Sequence, residues 1–277
     1  MYVGLLRALG DRGLTSAQRF DDPIAQAFLP SRWASALEWI APALAKLPAR
    51  VRALLVDRVD LLVVRALAID AELTAALAGG ATQVVILGAG FDDRPHRMAA
   101  LRAAHVFEVD HPATQAVKRL RAAPLSRTCR ALTYVACDFE REGLAERLHA
   151  AGHRSDEPTI WICEGVTLYL EAAAIRASLA AIAARSAASS TLILEYHDAE
   201  APTHDRGYSF VRAILLALWS EPHIGARSQD VMHAELAQAG LCIARDFAIC
   251  EWGTAFARTT PRVNRRRARL AIATRDP

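Results

Sequence analysis

Gly88 and Gly90 stand two residues apart, directly after the apolar run Val84–Leu87, and a pair of acids, Asp92 and Asp93, follows with Arg94 behind them. Glycine lets a chain turn sharply and brings bare backbone close to a ligand. A second apolar run, His105–Val109, ends in Asp110, twenty-two positions after Gly88. That is about where a nucleotide-binding βαβ unit places the acid that takes ribose hydroxyls, although the spacing alone is a weak signal. A diphosphate-binding turn presents N–H groups and a third glycine, whereas this one presents two carboxylates, which repel a diphosphate. The chemistry these residues suit is recognition of a ligand with cationic centres, whose own carboxylate an arginine such as Arg94 or Arg65 can take. An ordinary crossover with a polar turn is the competing reading.

A turn of this kind belongs at the end of a buried parallel strand, and the flanking sequence supplies the strands. The spacing predicts strand, turn, helix and strand over residues 82–112. Further strands are expected over Leu132–Cys137, Thr159–Cys163, Thr191–Tyr196, Leu241–Ile249 and Ala268–Thr274. Helices are expected over Gly143–Ala151, Glu171–Ala188 and Ser228–Ala239. In open α/β sheets ligands bind at the carboxyl ends of the strands, so Gly88, Asp110, Asp138, Glu164 and His197 should gather along one edge. Residues 1–80 read as a helical cap: Asp22-Pro23 starts one helix with Ile24, Ala27 and Phe28 on its apolar face. Pro48 opens a longer helix that carries Arg65 and stops at Gly79-Gly80. Residues 81–277 form the sheet domain, with a substrate-facing insertion near 198–227 around the helical run Phe210–Trp219.

Composition excludes more than it identifies. The 277 residues are 53% hydrophobic and 23% charged, enough for a large soluble α/β unit. A net charge of +3 from 33 basic and 30 acidic residues gives no footprint for nucleic acid, and the one basic run, Arg262–Arg269, has no aromatics among its arginines. Five cysteines without a C-x-x-C pair suggest reduced thiols and a cytoplasmic protein, and His149 and His153 are separated by Gly152 rather than joined in a metal motif. No metal, no membrane span and no secretory leader is expected.

The line VVILGAGFDDR resembles the GAG-x-D-T-R signature of the leucine carboxyl methyltransferase family, with Asp93 standing where that family commonly has threonine. FEVDHPATQAVKRLR, YVACDFE and IWICEGVTLYL resemble its next three blocks in order, and Asp22–Ala25 and Arg65 resemble its Asp-Pro-x-Ala pattern and its arginine. The resemblance spans roughly residues 5–198. It implies a Rossmann-like class I methyltransferase fold: a seven-stranded, mostly parallel sheet with an N-terminal helical cap. The implied cofactor is S-adenosylmethionine, whose ammonium, sulfonium and carboxylate answer the charge pattern of the turn. By the same resemblance Arg65 with Arg7 would bind the cofactor carboxylate, and Gly88, Ala89 and Gly90 would lie under the methionine portion with Asp92 and Arg94 beside them. Asp110, with His111 next to it, would take the ribose, Asp138 and Phe139 the adenine, and Glu164 the amino group. Tyr169 would face the substrate.

Methyl transfer to a carboxylate needs positioning and a dry pocket but no base, whereas a phenol must lose a proton to one, for which His197 and His111 are the candidates. The expected activity is therefore O-methylation of a small-molecule carboxylate or phenol, such as a bacterial secondary metabolite. Methylation of a peptide or protein C-terminus, a silent nucleotide-binding protein and an NAD-dependent oxidoreductase remain as alternatives.

Overall fold

All five residues of β1 (Gln83–Leu87) are buried, as an unbroken apolar run covered on both faces requires. The computed structural model describes residues 2–17, 20–139, 141–201, 224–256 and 267–275. It places β1 inside a seven-stranded sheet with β2 (His105–Asp110), β3 (Ala131–Ala136), β4 (Thr159–Cys163), β5 (Thr191–His197), β6 (Leu241–Ala248) and β7 (Ala268–Arg275). The order is β3-β2-β1-β4-β5-β7-β6. The first five strands run parallel, and β7 runs antiparallel to both β5 and β6. Chain order reverses between β1 and β4, which opens a crevice beyond their carboxyl ends.

The helices described are α1 (Tyr2–Asp11), α2 (Ser31–Ala45), α3 (Ala49–Ala78), α4 (Arg94–Arg97), α5 (Pro112–Ala122), α6 (Leu144–Ala150), α7 (Ala172–Ala184), α8 (Gln229–Gln238) and α9 (Ile249–Phe256). Strand side chains alternate between two cores. Val85, Leu87, Phe107, Val109 and Trp161 pack with Leu148 of α6, Leu179 of α7 and Leu236 of α8. Val84, Ile86, Val106 and Ile162 pack on the other face with Ile69 and Leu73 of α3 and Trp252 of α9. A third core joins Ala8 and Leu9 of α1, Leu37 of α2, and Val59 and Val63 of α3. The 30-residue α3, about 45 Å long at 1.5 Å per residue, thus runs from the cap core onto the sheet. No helix among the described residues is long and apolar enough to cross a membrane.

Three elements depart from the pattern read in the sequence. The helix expected from Asp22-Pro23 is only a 3-10 turn, Ala25–Phe28, because Leu29 precedes Pro30 and is forced extended (φ −85°, ψ 152°). The crossover after β1 is the four-residue α4 and a 3-10 segment, Ala99–Ala103, split by extended Met98, rather than one helix. Residue 249, read as the end of a strand, instead begins α9, where the Glu251 carboxylate accepts the Ala248 N–H at 3.2 Å. The expected helical run 210–219 and most of the run 262–269 lie outside the described residues.

Candidate active site

Both glycines of the turn after β1 are left-handed, Gly88 with φ +58° and Gly90 with φ +44°. A Cβ on Gly88 would overlap the Val166 side chain, so the strand end and the loop after β4 approach too closely for any other residue. Three of the turn's N–H groups are engaged within the protein. Ala89 donates to the Val109 carbonyl (3.0 Å), Asp92 to the Ala89 carbonyl (2.7 Å), and Gly90 to the Asp110 carboxylate. Asp110 also accepts the His111 N–H at 2.6 Å, and each oxygen keeps a second lone pair for a ligand hydroxyl. Burial raises the Asp110 pKa, and these two N–H groups oppose that shift.

Around this turn lies a cavity of about 680 Å³. The sheet edge contributes Gly88–Asp93, Asp110, Phe139, Glu164, Val166 and Tyr169 to its wall, and the helical elements contribute Gly4, Arg7, Ala25 and Arg65. Ten of the residues singled out in the sequence therefore meet here: Arg7, Arg65, Gly88, Ala89, Gly90, Asp92, Asp110, Phe139, Glu164 and Tyr169. Four others do not line it. Arg94 is fully buried behind the wall, with Nε donating to Asp70 (2.6 Å), Nη1 to Asp92 and Nη2 paired with Glu164 (2.9 Å). It holds acids of the wall in place instead of receiving a ligand carboxylate. His111 caps α5, its Nδ1 accepting the Ala113 N–H at 3.2 Å. Asp138 sits over the turn after β3, its N–H bonded to Glu142 (2.9 Å) and its carboxylate 3.7 Å from Arg141. The ring of His197 lies 3.9 Å from Glu195, while its backbone carbonyl receives the Arg227 N–H.

A buried ionic network backs the wall. Arg7 of α1 bridges Asp22 (2.6 Å) and Asp93 (2.8 Å). Arg97 joins Asp93 (2.7 Å) to Asp70 (2.7 Å), and Arg65 of α3 joins Glu164 (2.9 Å) to Glu195 (3.1 Å). With Arg94 this makes four arginines against six acids, a surplus of negative charge behind the crevice even with one proton held by the Asp22–Asp93 pair. Asp92 and Asp93 are thus ion-paired, so their repulsion of a diphosphate is weaker than the sequence suggests. The engaged N–H groups and the four-residue α4, too short for a strong dipole, are the firmer grounds against a diphosphate.

The same network sets the charge states. Burial raises the Asp22 carboxyl to about 8, aided by its hydrogen bond with Asp93. Burial works to raise Asp93 too, but Arg7, the Asp22 hydrogen bond and Arg97 hold it well below the usual carboxylate range, so the pair keeps one proton near neutrality. At Glu164 burial is outweighed by Arg65, Arg94 and Arg7 together, which bring it down to about 2.

Asp70, Arg97, Glu195 and the buried pair Glu108–Lys118 escaped the sequence reading. The strands carried a signal for two of them: HVFEVD and TLILEYH each place one glutamate inside an apolar run, and a buried charge needs a partner.

The strand order, the glycine turn and the acid ending β2 define a class I methyltransferase fold. The leucine carboxyl methyltransferase family model matches residues 1–183, and the chain belongs to that family. A relative from Streptomyces coelicolor, named "Putative S-adenosyl-L-methionine-dependent methyltransferase", is 40% identical over 196 residues, 69% of this chain and 66% of that protein. One of the same description from Streptomyces avermitilis is 39% identical over 179 residues, 62% of this chain and 60% of its own length. The chain thus spans less than two thirds of the length of either relative. Among solved structures, a duf574 family protein from Streptomyces avermitilis aligns with a TM-score of 0.58 and 17% identity, covering 100% of this chain and 97% of that one. A structure described as a "putative methyltransferase" from Thermobifida fusca aligns with a TM-score of 0.57 and 13% identity over 99% of this chain and 94% of that one. At such identities the two structures speak for the fold alone.

Proposed function

We propose that this chain is an S-adenosylmethionine-dependent O-methyltransferase whose acceptor is the carboxylate of a small molecule, such as a bacterial secondary metabolite, and whose product is a methyl ester. The observation that carries the reading is the cavity wall itself: acids in surplus, the N–H groups of Ala89, Gly90 and Asp92 already engaged, and Asp110 anchored at the end of β2 with lone pairs to offer. The donor set fits a ligand with an ammonium, a sulfonium, a carboxylate and a ribose. Asp110 would accept from the ribose hydroxyls, Glu164 would face the ammonium, and Phe139 would lie at the adenine. Arg65 and Arg7 would receive the carboxylate, and the buried Nε of Arg7 has no hydrogen-bond partner among the described residues.

When bound, S-adenosylmethionine supplies a methyl carbon activated by positive sulfur. The chain's part is to orient the acceptor oxygen in line with that carbon and to exclude water, which favours the loss of opposite charges. A carboxylate has no proton to give up, and no histidine lines the cavity among the described residues, which favours a carboxylate over a phenol. Tyr169, 39% exposed and on the wall, would meet the acceptor. Incubation of the protein with labelled S-adenosylmethionine and panels of small acids, phenols and C-terminal peptides tests the reading by mass spectrometry. A gain of one methyl on small acids is expected. Methylation of phenols alone, or of peptides alone, would contradict the assigned acceptor.

A further inference from the structure

This chain uses arginine almost everywhere and lysine only twice, at Lys46 and Lys118. Lys118 is 1% exposed, which is rare for a lysine without a specific partner. Its position on α5 brings three other elements to one ammonium. Nζ lies 2.7 Å from the Glu108 carboxylate of β2, donates to the Ala89 carbonyl at 3.4 Å, and sits 5.9 Å from the centre of the Phe28 ring. Glu108 is equally buried, and Lys118 is its only ionic partner among the described residues. Ala89 is the middle residue of the left-handed turn, and Phe28 closes the 3-10 turn that follows Asp22.

We infer that Lys118 is a positioning residue for the cofactor turn: paired with Glu108, its ammonium fixes the Ala89 carbonyl, and with it the Gly88–Gly90 geometry, while seating Phe28 against the same helix. The inference rests on the reading that this turn holds S-adenosylmethionine. A buried ion pair adds little net stability over well-packed apolar side chains. What an apolar pair of similar volume lacks is a donor aimed at the turn.

The test separates holding the turn from holding the fold. Thermal unfolding and calorimetry with S-adenosylhomocysteine are run on the wild-type protein, on Lys118→Met and on Glu108→Leu/Lys118→Met. Lys118→Met should lower the melting temperature, because it leaves Glu108 buried without a partner. The double variant should recover most of that loss and still bind S-adenosylhomocysteine about tenfold or more weakly, as expected for a lost charged hydrogen bond. Hydrogen exchange over residues 87–93 should stay faster in the double variant. Wild-type affinity together with wild-type exchange there would overturn the inference. Because the chain has only two lysines, ¹⁵N spectra of the wild-type ammonium groups give a check that needs no variant to fold. Titration with S-adenosylhomocysteine should move the Lys118 signal and leave that of Lys46 in place, and an unmoved Lys118 signal would overturn the inference. A wild-type protein that binds no S-adenosylhomocysteine would instead sink the functional reading, leaving the exchange comparison to decide the role of Lys118.

Discussion

Asp110 shows how little of a candidate site residue's behaviour lies in its identity alone. Two backbone N–H groups, from Gly90 and His111, hold its carboxylate at the mouth of the cavity. Asp110→Asn keeps the shape but weakens acceptance of hydroxyl hydrogens. Its affinity for S-adenosylhomocysteine should fall about ten- to a hundredfold, with the melting temperature little changed. Unaltered affinity in that variant would remove Asp110 from the ribose. The Asp22–Asp93 pair makes a prediction about pH. Asp22 titrates at 3.8 when unperturbed and at about 8 in the fold, so between these values the folded protein keeps a proton that the unfolded chain releases. Stability should therefore decline as pH rises across that window, and Glu108, raised by burial to about 7, adds a decline of the same sign. Glu164, lowered to about 2, acts oppositely and loses its contribution as pH falls from 4.5. Denaturant melts from pH 5 to 9 should show the decline, and Asp22→Asn should flatten its upper part. A wild-type profile that rises toward pH 8 would contradict the protonated pair.

At the scale of elements, the strands were readable because each is a short apolar run between turn signals, and β1, β2, β4 and β5 appear within a residue or two of their expected ends. The glycine turn was readable because the left-handed conformations of Gly88 and Gly90 strongly favour glycine. The crossover after β1 was not, since Arg94 and Arg97 follow helical spacing in the sequence but are drawn into ion pairs with Asp70, which lies on α3, 24 or more residues earlier. Long-range charge pairing of this kind leaves no local pattern. Gly225 belongs to the same category. The returning chain donates from Ile224 (2.9 Å) and Gly225 (3.0 Å) to the Leu168 carbonyl, and a Cβ at Gly225 would overlap the Thr167 carbonyl oxygen. Gly225→Ala should push this segment off the 3-10 turn Thr167–Tyr169. Hydrogen exchange at residues 224–227 should quicken and the acceptor KM should rise, while S-adenosylhomocysteine affinity changes less. Unchanged exchange would mean that the contact is easily relieved.

On the scale of the whole molecule, the ionic network joins α1, α3, the glycine turn and the ends of β4 and β5 into one support for the cavity. Ten of the residues marked in the sequence converge there because the strand ends were legible, whereas the division of labour among the arginines was not: Arg94 serves the acids and Arg7 and Arg65 line the cavity. Arg94→Met leaves Asp70, Asp92 and Glu164 facing one another without its charge, and unfolding free energy should fall by about 3–5 kcal/mol. A loss below about 1 kcal/mol in denaturant melts would show that the acids find other partners. The central claim is that this acid-rich crevice receives a sulfonium nucleoside and not a dinucleotide. Calorimetry of the wild-type protein with S-adenosylhomocysteine, S-adenosylmethionine and NAD tests it directly: both sulfur ligands should bind and NAD should give no heat, whereas binding of NAD without either sulfur ligand would contradict the account.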